Sequence, residues 1–223
     1  MKLVSLEFEG TILLENEKCV EWIIESPKTF LKQLQELINQ NDGYDGKFIL
    51  SNEDTIIDFS KNTMIINDLF DIDINNKKVL SKLYEELKEI TYCEKFYIRT
   101  NNILSDIYSY ITELEDELDY CIEFIEDIDI QSLFKIMNIR YEIKSNNFLE
   151  NIIEYMKIMN RVFRIKIFFV VNIRSFLEDY EMKILVQELE YQDFQVIFME
   201  NSEKECILNL RRYIIDKDLC EIY

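Results

Sequence analysis

The stretch KIFFVV, Lys166–Val171, is the most apolar run in the chain. Its apolar side chains are continuous rather than alternating, as in a strand covered on both faces. A helix from about Glu178 to Tyr191 follows, and then a second apolar run, FQVIFME, Phe194–Glu200. Strand, helix and strand in that order form a crossover, so at least some of the sheet is parallel. RRYII, Arg211–Ile215, supplies a last strand.

Before this core, the chain reads in the same texture. RYEIK, Arg140–Lys144, is a candidate strand, and Phe148, Leu149, Ile152, Ile153, Met156 and Met159 follow helical spacing. At the other end LVSLEF, TILL and CVEWII read as short strands. Ser26-Pro27 then starts a helix, Ser as N-cap and Pro at the first helical position. Lys47–Leu50 and Thr55–Phe59 flank a polar turn.

Between them the texture is helical. Val79, Leu80, Leu83, Tyr84, Leu87 and Ile90 mark one amphipathic helix. After the polar break Arg99–Asn102, Ile103, Ile107, Tyr110, Ile111, Leu114, Leu118, Ile122 and Ile125 mark a longer one. The expected fold is an α/β head domain with a partly parallel sheet and an inserted α-helical hairpin leg. The head is discontinuous: its first segment covers 1–74 and its second 129–223, with the leg at 75–128 between them.

Composition excludes several chemistries. The chain has 223 residues, a net charge of −19 and no histidine. Without imidazole there is no Ser-His-Asp or Cys-His pair and no His-ligated zinc. Its three glycines, Gly10, Gly43 and Gly46, form no phosphate-binding loop. The five scattered cysteines contain no CxxC and read as buried reduced thiols. No run of about 18 apolar residues predicts a membrane span. The start MKLVSLEFEG places acidic residues where a signal peptide needs an apolar core. A cytoplasmic protein without a membrane partner is expected.

Charge is segregated along the chain. Thr112–Ile130 holds nine acidic residues and no basic one, whereas Gln131–Leu177 holds eight basic residues against three acidic. Such a chain repels polyanions except where its cations gather. Lys135, Arg140, Lys144, Arg161 and Arg164 are the candidate contacts to phosphates, with ordinary solvated surface charge as the plainer reading. In the acidic stretch, Glu113 with Glu117 and Glu115 with Asp119 are like-charge i,i+4 pairs that destabilise a helix unless a cation intervenes. Dense carboxylates suit Ca²⁺, but on the residues alone a solvated acidic face, or an outer wall that repels DNA, is the plainer reading.

The strings LLENEKCVEWII, ELEDELD, KIFFVVNIRSFL and FQVIFMENSE, in this order and at this length, resemble the ring-forming Csn family of type II-A CRISPR adaptation proteins. The similarity spans nearly the whole chain and rests on apolar patterns with few fixed residues. The resemblance implies a homotetrameric ring that binds double-stranded DNA ends through its central hole without reading sequence. It implies a nucleotide-binding-like head that has lost its phosphate loop, and no catalysis. It implies Ca²⁺ support, with Glu117, Asp119, Glu123, Glu126 and Asp127 as candidate ligands. It places a basic residue near Arg140 at the hole. Expected partners are the adaptation integrase and the RNA-guided effector nuclease. The alternative is a protein-only scaffold of the adaptation complex, and a third reading is a metal-dependent nuclease.

Overall fold

The computed structural model describes residues 1–53, 55–125, 128–142, 147–208 and 210–222. It divides into two compact units, one made of Met1–Asp73 with Ile143–Tyr223, the other of Ile74–Glu142.

The first unit is mixed α/β. It contains β1 (Lys2–Ser5), β2 (Thr11–Leu13), β3 (Cys19–Ile24), α1 (Pro27–Asn41), β4 (Phe48–Asn52), β5 (Thr55–Ile57), α2 (Phe59–Asn62) and β6 (Thr63–Ile66). After the second unit it resumes with α6 (Phe148–Phe163), β7 (Ile167–Val171), α7 (Asp179–Glu190), β8 (Gln195–Glu200), β9 (Arg211–Ile215) and β10 (Glu221–Ile222). One sheet has the order β10-β9-β3-β8-β7-β6, the other β2-β1-β4-β5. The five strands from β9 to β6 run parallel, and β10 joins their edge antiparallel. The second sheet is antiparallel throughout.

The expected crossover is present: β7 and β8 pair in parallel and α7 connects them. Every residue of β3, β7 and β8 is buried: β7 is apolar throughout, whereas β3 also buries Glu21 and β8 buries Gln195 and Glu200. On one face Val20, Trp22, Ile24, Phe169, Val171, Ile197, Met199 and Tyr213 join Leu3, Leu13, Phe48 and Leu50 of the antiparallel sheet and Phe30 and Leu37 of α1 in one core. Trp22 is therefore a core residue, edge-on to Phe48 at 6.0 Å. By alternation the opposite face carries Glu21, Phe168, Val170, Val196 and Phe198, and α7 packs against β3. Ser26 caps α1 as the sequence predicts, its Oγ accepting from Thr29 N at 3.4 Å.

Sequence reasoning missed two strands. Strand β6 has only four residues and β10 two, too short for a pattern to mark. The thiols also differ from expectation: Cys19 is buried, whereas Cys93, Cys121, Cys206 and Cys220 are exposed. Burial pushes the Cys19 thiol up to about 12.

The second unit holds α3 (Lys77–Thr91), α4 (Glu94–Asp116) and α5 (Ile130–Ile136). Asn76 caps α3, its Oδ1 accepting from Lys78 N and Val79 N. The expected break at Arg99–Asn102 lies inside α4. Polar residues cost a helix only a few tenths of a kcal/mol each, about 0.5, and no Gly or Pro stands there to break it. The expected extension to Ile125 is also absent, because α4 stops at Asp116 and Glu117 is its C-cap. The like-charge pairs begin at that end, where the helix dipole also disfavours anions. Helix α5 packs on α3, and Lys88 Nζ meets Asp129 Oδ1 at 2.8 Å.

The expected strand RYEIK is not one over its described residues, 140–142. Asn75 takes the place of a ladder partner there. Its Oδ1 accepts from Tyr141 N at 2.8 Å and its Nδ2 donates to Tyr141 O at 3.1 Å.

Candidate functional site: two helix ends and a buried charge network

Four of the five predicted phosphate contacts lie among the described residues, and all four are exposed. Lys135 sits in the last turn of α5, and Arg140 follows that helix in the second unit. Arg161 sits in the last turn of α6, and Arg164 is its C-cap, with φ 62. Cations at helix C-termini offset the partial negative charge of the terminal carbonyls, which gives each position a local reason as well. Within one unit the structure brings together Arg161 with Arg164, and Lys135 with Arg140, as sequence neighbours. Lys144 lies outside the described residues.

The acidic candidates are less concentrated than their spacing promises. Glu117, Asp119 and Glu123 are exposed, and Glu126 and Asp127 lie outside the described residues. The neighbouring carboxylates have other partners. Glu115 Oε1 accepts from Ile122 N at 3.0 Å. Asp129 is held below its usual range, chiefly by Lys88. Among the described residues no three acidic or cysteine side chains gather closely enough to hold a metal ion.

The parallel sheet offers no phosphate cradle where nucleotide-binding sheets form one. Only Glu25 and Ser26 connect β3 to α1. Neither is glycine, and Ser26 Oγ already takes one of the first free N–H groups.

A buried charge network on the face of β3 and β8 had no signal in the sequence. Arg174 counts in the positive stretch, yet its side chain is 1% exposed. It donates to Glu21 Oε1 at 2.8 Å, Asp179 Oδ1 at 2.6 Å and Glu205 O at 3.1 Å. Its backbone N–H donates to Glu200 Oε1 at 3.0 Å. Arg212 completes the network, donating to Glu21 Oε2 at 2.7 Å and to Lys204 O and Glu205 O. The two guanidiniums thus pin residues 203–205 to the sheet. Burial pushes the Glu200 carboxyl up to about 7; the Arg174 N–H opposes that shift and the nearby Glu21 charge adds to it. Single charges inside apolar strands look like surface positions in a sequence. Only the pairing of β3 with both β8 and β9 brings Glu21, Glu200 and Arg212 to one face.

A model of the family described as CRISPR-associated protein (Cas_Csn2) matches residues 40–219. A CRISPR-associated protein Csn2 from Enterococcus faecalis is 23% identical over 216 residues, which is 92% of this chain and 91% of that protein. The family match begins within α1, takes in the whole second unit and runs past β9. With its parallel sheet, its helical second unit and matches over most of its length, the chain belongs to the CRISPR-associated Csn2 family, the spacer-acquisition family that its sequence resembles.

Proposed function

We propose that this protein serves spacer acquisition as a non-enzymatic clamp for double-stranded DNA ends. Four copies close a ring, and a subset of their exposed cations lines a shared opening that holds duplex without reading its sequence. The observation that carries this reading is the exposure of Lys135, Arg140, Arg161 and Arg164 in a chain of net charge −19. Such cations bind phosphates and release counterions, which gives affinity without base contacts. Four-fold repetition turns a weak patch into a useful one. Family membership and the lack of histidine favour a binding role over catalysis.

The finer architecture belongs to the same proposal. The parallel strands of the first unit form a degenerate nucleotide-binding-like head, and α3 and α4 form the hairpin leg. Calcium supports assembly: Thr112–Ile130 of each copy carries like charge, and a divalent cation shared between copies relieves the repulsion. The adaptation integrase and the RNA-guided effector nuclease are its partners in the same complex.

Sizing in Ca²⁺ and in chelator tests the assembly. A tetramer in calcium that falls apart in chelator is expected, and a monomer in both rejects the ring. A mobility shift on linear duplex at rising salt tests the DNA contact. The protein-only scaffold has its own support, the 23-residue α4, which buries none of its residues. Absence of any shift at low salt selects that reading. Degradation of the duplex in Mg²⁺ or Mn²⁺ selects the nuclease instead.

A further inference from the structure

We propose that three phenylalanines of the first unit, Phe70, Phe148 and Phe176, form a docking site for a basic segment of a partner protein, which inserts an apolar side chain among the rings. Phe70 follows β6, Phe176 follows β7 and Phe148 opens α6. The Phe70 ring lies 5.2 Å from that of Phe176 at 88° and 5.8 Å from that of Phe148 at 31°. Phe70 is nonetheless 73% exposed and Phe176 51%. Rings that touch one another and still face water leave apolar surface for a partner to cover.

The ring of Phe70 is presented on a fixed turn. Asp68 Oδ1 accepts the backbone N–H of Phe70 at 2.9 Å and that of Asp71 at 3.3 Å. A turn closed by its own aspartate loses little freedom when a partner docks. The position also fits, because β6 and β7 are neighbours and both loops leave their carboxyl ends. Open α/β sheets place their ligands at that edge.

Charge decides the occupant. Residues 67–73, 147–151 and 175–180 carry Asp68, Asp71, Asp73, Glu150 and Glu178, besides Asp179, which Arg174 neutralises, and no Lys or Arg. Such a rim repels nucleic acid. It also disfavours a second copy of a chain that itself carries −19. A cationic segment gains from the rim, and its Lys or Arg side chains can lie on the ring faces.

The test uses the full chain and a labelled short peptide of alternating arginine and leucine, read by fluorescence anisotropy, beside a glutamate and leucine counterpart. The basic peptide is expected to bind and the acidic one not. Phe70→Ser and Phe176→Ser leave the net charge unchanged and are expected to weaken binding tenfold or more. Asp71→Asn, which keeps the rings, weakens it by a smaller factor. Ile184→Ser, which removes an exposed apolar side chain from α7, leaves it unchanged. Equal binding by wild type and Phe70→Ser overturns the proposal in favour of general attraction to an anionic chain. Binding of neither peptide, or of both alike, also overturns it. A fall in particle mass on Phe70→Ser overturns it in favour of a second copy.

Discussion

Glu221 Oε2 accepts the backbone N–H of Gly10 at 2.8 Å across 211 residues of sequence. The same carboxylate takes Glu9 N at 2.9 Å and Tyr213 OH at 2.7 Å. A two-residue strand thereby fastens the turn between β1 and β2 to the edge of the larger sheet. Burial raises the Glu221 pKa, but the three hydrogen bonds outweigh it and hold the carboxyl below its usual range.

Glu221→Gln is expected to destabilise the fold by about 1.5–3 kcal/mol, the range for hydrogen bonds to a charged group. A depressed folded pKa contributes stability above the unfolded value, about 4.3, and that contribution is lost as pH falls through the folded value. Chemical denaturation from pH 7 to pH 3 checks it. The wild-type advantage over the variant shrinks in the acid limb, and a constant gap contradicts the assignment.

Glu200 predicts the opposite slope. Its folded pKa of about 7 lies above the unfolded value, so between the two the folded state alone keeps the proton. Its contribution is present below the unfolded pKa and is lost as pH rises through 7. Glu200→Gln removes that loss. Melting curves from pH 5 to pH 8.5 are expected to favour the variant increasingly, on the order of 2 kcal/mol across the range. Parallel curves rule out titration in this window.

Arg174→Met leaves Glu21 with Arg212 as its remaining guanidinium partner and strips Asp179 and Glu205 O of a donor. Breaking a buried pair from one side costs roughly 3–5 kcal/mol. The variant is expected near the low end, because Arg212 stays. A loss below about 0.5 kcal/mol, the scale of ordinary surface substitutions, shows that the network contributes little. Proteolysis within residues 201–210 gives a second readout, since both guanidiniums pin that segment.

The charged positions predict DNA behaviour. Arg161→Glu with Arg164→Glu, and separately Lys135→Glu with Arg140→Glu, are expected to weaken duplex binding equally for unrelated sequences. Each phosphate that goes without its cation lowers the slope of log affinity against log salt by about 0.9. A change confined to particular sequences contradicts backbone binding.

How far the sequence reached depends on the kind of signal. Phe168, Val170, Val196 and Phe198 are legible because a doubly covered strand needs no alternation and nothing polar interrupts it. Ser26-Pro27 is legible because two residue types fix one helix start. Asn101 and Asn102 mislead because a helix tolerates polar residues that a pattern search reads as a gap. Leu118 and Ile122 mislead in the other direction: their spacing is helical, but the crowded carboxylates around them disfavour another turn. Arg174 shows where sequence reasoning ends. Its burial depends on Glu21, which is 153 residues away and reaches it only through the strand order.

The central claim is that an anionic chain holds duplex ends by closing a ring around them. Its most direct test is a mobility shift in Ca²⁺ on one duplex supplied as a closed circle and as the same circle cut once. The account predicts retention of the cut form and passage of the closed form. Equal retention of both contradicts it.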